Sequence, residues 1–157
     1  MSWKRKTKTL YFCVFVAFLF LLFAGLAEAA DRYWVGGSGN WSDKNHWSGA
    51  KVPGRRDIAI FDEDSGGGTC TIDEEVNIKG LVLEQGNTTT ISQGSNTITI
   101  GKEGALFESG TFTGGSADID INGDFTLDGA SFTSTSGTLY CGNDFTISSG
   151  TFTHNSG

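Results

Sequence analysis

Pairs of apolar residues spaced two apart recur along the second half of the chain, separated by polar residues. The pairs are Val76 and Ile78, Leu81 and Leu83, Ile98 and Ile100, Ile119 and Ile121, Phe125 and Leu127, Leu139 and Cys141, and Phe145 and Ile147. A spacing of two places both side chains on one face of a short β-strand. Turn-forming dipeptides such as Asn122-Gly123 and Asp128-Gly129 separate the pairs. No stretch has helical periodicity, and the pattern therefore predicts an all-β fold.

An eleven-residue sequence also occurs twice in similar form. GDFTLDGASFT, which begins at Gly123, returns twenty residues later as NDFTISSGTFT, and Phe112, Phe132 and Phe152 share this spacing. Three short strands in a period near twenty predict a parallel β-helix, that is, a β-solenoid of about 20 residues per coil. Coils stacked ~4.8 Å apart would place the three rings in one internal column. Burying each ring gains about 1.5–3 kcal/mol, which no isolated repeat could obtain alone.

An antiparallel sandwich is the structural alternative, because it also uses short, regularly spaced strands. It does not require the same residue type at one register three times, so we favour the solenoid. We expect repeats over residues 70–157, with Ile72, Ile78, Leu83, Ile91 and Ile98 facing the interior of the earlier coils. The sequence stops part-way through a repeat. We therefore expect either the front portion of a longer protein or an uncapped last coil that supports end-to-end association.

Residues 1–29 have the features of a signal peptide. Basic residues between Lys4 and Lys8 precede an uncharged apolar run from Leu10 to Leu26, and Ala27-Glu28-Ala29 has the small-x-small pattern of a cleavage site. We predict an N-terminal apolar helix that is cleaved after Ala29 and a secreted or cell-surface protein. The alternative is a retained membrane anchor, although seventeen residues is at the short limit of a bilayer span, roughly 17–25. We expect no other contact with a membrane.

The mature chain would be strongly acidic. From Ala30 onward, seven basic side chains stand against seventeen acidic ones, and neither Lys nor Arg occurs after Lys102. Such a surface repels phosphate backbones, so we expect no nucleic-acid partner.

Residues 30–69 form a separate Trp/Gly-rich segment in composition. Its residues Trp34, Gly36-Gly37, Trp41, Trp47 and Val52-Pro53 resemble an N-terminal module of bacterial exported β-helix surface proteins of the adhesin or autotransporter-passenger type. The stretch from Trp47 to Leu83 is also similar to the extracellular eight-glycine domain family. These resemblances imply a β-helical exported protein, and they say little about activity.

The tryptophans of this segment have two interpretations. Trp34, Trp41 and Trp47 could fold over the first coil as an apolar cap, which is the interpretation we favour. Alternatively, their faces could be exposed and stack on pyranose rings as a carbohydrate-binding platform. Glycans or surface proteins of a host or of the environment would then be the partners.

No catalytic, cofactor-binding or metal site is predicted. Asp118, Asp120 and Asn122 mimic the start of a calcium loop, but the position of the bidentate Glu is a glycine, and we expect a strand with its acids facing water. Asp124 and Asp144 share a register and could form a carboxylate pair for glycoside chemistry. We favour the alternative, in which an Asp just before an apolar strand accepts hydrogen bonds from nearby backbone N–H groups. His46 and His154 are expected to be surface or turn residues.

The two cysteines of the mature chain lie too far apart to pair. Cys70 and Cys141 are separated by about three and a half coils, some ~15 Å along the axis, whereas a disulfide requires Cα atoms within roughly 7 Å. We predict two buried free thiols.

Together these observations predict a non-enzymatic, secreted or cell-surface structural and adhesion module, the N-terminal part of a β-helical surface protein. The alternative function is the N-terminal part of a β-helical polysaccharide lyase or glycoside hydrolase.

Overall fold

The fold is an all-β, parallel β-solenoid. A computed structural model describes residues Ala29–Ser156, and all of the predicted leader except its last residue, Ala29, lies outside the described part. The described chain makes about 5 turns of ~21 residues each. Every pairing between its named strands is parallel, and this excludes the antiparallel sandwich.

Twelve strands and three short 3₁₀ turns make up these coils. The strands are β1 Asp31–Tyr33, β2 Gly39–Asn40, β3 Ile58–Phe61, β4 Thr69–Thr71, β5 Val76–Leu83, β6 Thr90–Ser92, β7 Ile98–Phe107, β8 Thr111–Thr113, β9 Ile119–Ile121, β10 Phe125–Thr133, β11 Leu139–Cys141 and β12 Phe145–Thr153. The 3₁₀ turns are Lys44–His46, Ser48–Ala50 and Glu63–Ser65.

The chain winds along three faces, as the sequence pattern of three strands per repeat predicts. The first face contains β1, β3, the second halves of β5 and β7, and the first halves of β10 and β12. The second contains β2, β4, β6, β8 and the second halves of β10 and β12. The third is formed by the first halves of β5 and β7, followed by β9 and β11. Four strands bend at a corner and so join two faces.

The length of a coil changes along the solenoid. Phe125 pairs with Phe145, and the later coils therefore keep the period predicted from the repeat. Earlier coils are slightly longer, because Ile58 pairs with Gly80. The first coil is longer still, because Gly39 pairs with Cys70 across the segment that contains Trp41 and Trp47. The period read from the sequence thus describes the later coils and underestimates the earlier ones.

The interior consists of columns of side chains from successive coils, and the predicted phenylalanine column is confirmed. The rings of Phe112 and Phe132 are stacked with their centroids 4.9 Å apart, and those of Phe132 and Phe152 are stacked at 5.6 Å. Cys70 and Ile91 continue this column toward the N-terminus. All five interior positions predicted for the earlier coils are buried: Ile72, Ile78, Leu83, Ile91 and Ile98.

One corner of the solenoid is held by a buried amide rather than by apolar packing. Gln93 is fully buried, its side-chain N–H group donates to the Ala117 carbonyl at 2.9 Å, and its oxygen accepts the Gly115 N–H at 2.9 Å. Gly115 has no space for a side chain, because an added Cβ would overlap the carbonyl oxygen of Gly94. Successive coils are therefore in backbone contact at this corner.

The last described coil is less covered than the others. Phe145 and Ile147 are each 47% exposed, although Phe145 stacks on Phe125 at 4.5 Å. The predicted end-to-end association through this coil stays a prediction.

Within residues 29–156, no helix has the length and apolar character to cross a membrane.

A hydroxyl-lined face as the candidate binding surface

One outer face of the solenoid carries a regular array of hydroxyl groups. Strands β4, β6, β8 and the ends of β10 and β12 read TCT, TIS, TFT, SFT and TFT. Side chains alternate along a strand, so the middle residue of each triplet points inward and the outer two point outward. The inward residues form the column that contains Phe112 and Phe132. The burial of this column therefore fixes the direction of every hydroxyl beside it.

The register of the strands arranges these outward residues in two columns. One column contains Thr69, Thr90, Thr111, Ser131 and Thr151, and the other contains Thr71, Ser92, Thr113, Thr133 and Thr153. These ten residues are called the hydroxyl face below. Strand geometry spaces neighbours ~4.8 Å apart along a column and the two columns ~6.6 Å apart, two residues at ~3.3 Å each. The result is a two-dimensional lattice of hydroxyl and methyl groups.

The hydroxyls of this face are not used by the fold. Within residues 29–156, none of the ten hydroxyl groups makes an intramolecular hydrogen bond, and none of the ten residues is buried. Hydroxyls elsewhere in the solenoid differ: Ser109 donates to the Asn87 carbonyl at 2.7 Å, and Thr97 donates to Glu75 at 2.8 Å. The face therefore presents ten uncharged donor and acceptor groups to solvent.

The tryptophans considered for sugar binding do not lie on this surface. Trp34, Trp41 and Trp47 are only 1%, 2% and 1% exposed and cluster around Phe61 inside the first coil. Trp47 makes edge contacts with Trp34 and Trp41 at 5.1 and 4.7 Å. Their faces are covered, so the exposed platform needed for stacking on pyranose rings is not formed. The three indole rings instead fill the interior of the first coil, which agrees with their interpretation as apolar packing.

Local bonds fix this cluster. The indole N–H of Trp34 donates to the Gly37 carbonyl at 3.1 Å, and that of Trp47 donates to the Trp41 carbonyl at 2.8 Å. His46, expected at the surface or in a turn, is the last residue of a 3₁₀ turn and is half-buried, because its ring stacks on Trp34 at 4.8 Å. Gly39 leaves room for this ring, which lies where a Cβ would be.

The acidic residues considered for chemistry are exposed, and two of them, Asp118 and Asp124, accept backbone N–H groups of the next coil rather than local ones. Asp118 and Asp120 are exposed on either side of buried Ile119, as expected for a strand with its acids in water. One carboxylate oxygen of Asp124 accepts the backbone N–H of Asp144 at 3.3 Å. No cluster of three or more His, Cys, Asp or Glu side chains suited to a metal occurs within the described residues.

Both cysteines of the solenoid are free thiols, as predicted, but only one is fully buried. Burial, with a smaller contribution from the Asp73 charge, raises the pKa of the Cys70 thiol far above its ordinary value. Cys141 occupies the register of Ile121, also as predicted. It is half-buried rather than buried, because it lies in the last described coil, and its thiol donates to the Asp144 carbonyl at 3.3 Å.

The hydroxyl face was not predicted from the sequence. The repeat was interpreted through the phenylalanine of each SGTFT-like phrase and not through the hydroxyl residues that flank it. The sequence signal for this face was a Thr-x-Thr triplet that occurs in several coils.

Comparison of the chain with family models, with curated proteins and with solved structures finds no match. Any function proposed for the chain therefore depends on the solenoid itself.

Proposed function

We propose that this protein is an exported, non-enzymatic adhesion module that binds an uncharged polysaccharide through its hydroxyl face. The leader-like segment and the acidic composition support a secreted or cell-surface location. The observation that carries the proposal is the lattice of ten outward hydroxyls that have no partner within the described fold.

A polysaccharide suits this lattice for chemical reasons. Threonine offers a donor and an acceptor beside a methyl group, which matches the mixed hydroxyl and C–H surface of a sugar ring. A polymer chain lying along the solenoid axis would meet one pair of hydroxyls per coil, so many weak contacts would add. The ten residues carry no charge, and the remaining surface is acidic, which disfavours anionic polymers.

The proposal is tested by binding of the exported protein to microcrystalline cellulose and to chitin. The test variant replaces Thr111, Thr113 and Thr133 by Val, which keeps the side-chain shape and removes three hydroxyls. Each lost hydrogen bond is worth about 0.5–1.5 kcal/mol, so we expect at least a tenfold loss of affinity. The matched control replaces Thr99 and Thr126 by Val. Both are half-buried residues on other faces and should change affinity less than twofold.

Three results would count against this function. Equal loss of binding in the control variant would show that the hydroxyl face is not the site. Retention of the protein by neither polymer, together with incorporation into growing ice crystals, would assign the lattice to ordered water instead. Release of soluble sugars from either polymer would favour the alternative of a polysaccharide lyase or hydrolase.

A further inference from the structure

Asp57 is a buried carboxylate at the start of the solenoid. It is 3% exposed and lies just before β3. One of its oxygens accepts the Gly54 N–H at 3.0 Å, and the other accepts the backbone N–H of Ala30 at 3.1 Å. A buried charge is costly unless it is paired and hydrogen-bonded. The neighbours of Asp57 therefore decide whether this site stabilises the fold.

Arg32 is the nearest positive charge with a recorded contact to Asp57, and this contact is long. The Arg32 side chain approaches only to 4.0 Å, from its Nε atom to Oδ2 of Asp57, and this buried Nε has no hydrogen-bond partner within the described residues. The side-chain ammonium of a second nearby cation, Lys79, is directed elsewhere. Lys79 donates its backbone N–H to the Asp57 carbonyl, but its ammonium pairs with Glu103 at 2.9 Å. The carboxylate is thus hydrogen-bonded, and neither Arg32 nor the Lys79 ammonium makes a close ion pair with it.

The predicted leader cleavage falls at the bond next to this contact. Ala27-Glu28-Ala29 places cleavage after Ala29, an exposed residue, and the nitrogen released would be that of Ala30. Hydrolysis adds water across the Ala29–Ala30 peptide bond. The Ala29 carbonyl carbon takes the hydroxyl group and the Ala30 nitrogen takes hydrogen, and at neutral pH this amine binds a further proton from solvent.

We propose that Asp57 is the receptor for the mature N-terminus, and that leader cleavage converts the contact of a neutral amide N–H group into a partly buried ion pair between the Ala30 ammonium and the Asp57 carboxylate. This proposal rests on the proposed export, with the export peptidase and water as the co-reactants. The ammonium adds a Coulomb attraction to the carboxylate that the amide N–H does not have, and this attraction is stronger in a partly buried site than in water. The ion pair joins the first residue of the mature chain to the strand that begins the regular solenoid. Processing would therefore stabilise the first coil.

The experiment compares two exported proteins by equilibrium urea unfolding at pH 7. One is the natural chain, and the other carries Gly-Ser inserted between Ala29 and Ala30, which keeps the N–H group of Ala30 but moves the charge away. We expect the insertion to lower the folding equilibrium constant at least tenfold. In an Asp57→Asn background the same insertion should cost less than threefold, because the ammonium has lost its partner.

N-terminal sequencing of the natural protein distinguishes a failure of export from a failure of the ion pair. An unprocessed chain found only inside the cell would contradict export itself, whereas an exported chain that keeps its leader, or that begins elsewhere than at Ala30, would overturn only the ion pair. Equal costs of the insertion in both backgrounds would also overturn it.

A pH series covers the case in which Asp57→Asn does not fold. An ammonium that gains a partner on folding contributes stability at low pH and loses it as the pH rises above about 8, the ordinary value for an α-amino group. The other charged groups around the site, Asp31, Arg32, Arg55, Arg56 and Lys79, are identical in the natural and extended proteins. The difference in stability between these two proteins must therefore shrink as the pH rises above about 8, and a difference independent of pH would overturn the proposal.

Discussion

Replacing Phe132 by Ala should be among the most destabilising single changes in the solenoid. Phe132 is 1% exposed and lies in the middle of the aromatic column. Its ring centroid lies 4.9 Å from those of Phe112 and Phe107 and 5.0 Å from that of Phe125. The neighbouring coils are joined by backbone hydrogen bonds and cannot close over the cavity.

The magnitude follows from this enclosure. Truncation of a fully buried Phe costs about 3–5 kcal/mol, the sum of lost transfer free energy and cavity formation. With a urea m-value of about 2 kcal/mol/M for a domain of this size, the unfolding midpoint should fall by ~2 M. Phe145→Ala provides a matched comparison, because this ring also stacks on Phe125 but is 47% exposed. Its midpoint should fall by about half as much.

The assay uses two probes of urea unfolding. Far-UV circular dichroism reports on all coils, whereas fluorescence of the processed protein reports on Trp34, Trp41 and Trp47 in the first coil. Coils contact mainly their neighbours, so Phe132→Ala should shift the circular dichroism transition more than the fluorescence transition. Equal midpoint shifts for Phe132→Ala and Phe145→Ala, or a shift below ~0.5 M for the former, would refute the assignment of Phe132 to an enclosed column.

Four further outcomes are expected. Gly115→Ala should destabilise the protein in thermal unfolding because its Cβ would overlap the Gly94 carbonyl oxygen, whereas Gly54→Ala, whose Cβ would have its nearest neighbour at 3.8 Å, should be tolerated. At pH 8, a thiol reagent should label Cys141 and leave Cys70 unmodified until the protein unfolds, because burial raises the pKa of Cys70, and Cys141→Ser should abolish the fast reaction. The same shift means that stability falls as the pH rises above about 8.5, where only the unfolded chain loses this proton. Acrylamide should quench the tryptophan fluorescence of the processed protein weakly, since the three indoles are at most 2% exposed, and strong quenching would contradict the buried cluster.

Much of the fold was predictable because every coil of a solenoid packs its interior side chains against the next coil in the same way. An interior ring is covered only if the next coil places an apolar side chain at the same register, so the spacing of Phe112, Phe132 and Phe152 predicts how the coils stack. The alternation around Ile119 and Ile121 likewise separates interior from exterior. The same reasoning identified Cys70 and Cys141 as free thiols, because it places them coils apart.

The candidate sites were less accessible to sequence reasoning. The sequence of a glycine-rich segment does not show whether its tryptophans are buried or exposed. The packing of Trp34, Trp41 and Trp47 around Phe61 shows that they are buried. The hydroxyl residues were visible as letters, yet whether a hydroxyl binds the backbone or remains in solvent depends on the shape of the neighbouring coil.

The sequence by itself thus determined the coil, its approximate period and the residues that face inward, because all three follow from side-chain alternation and from burial that repeats at a nearly constant interval. The tertiary structure alone decided which polar groups meet. Ala30 and Asp57 are 27 residues apart in the chain, and only the long first coil brings the N–H group of one to the carboxylate of the other. Contacts of this kind follow from where the backbone returns after a non-repeating loop, and no periodic pattern encodes that path.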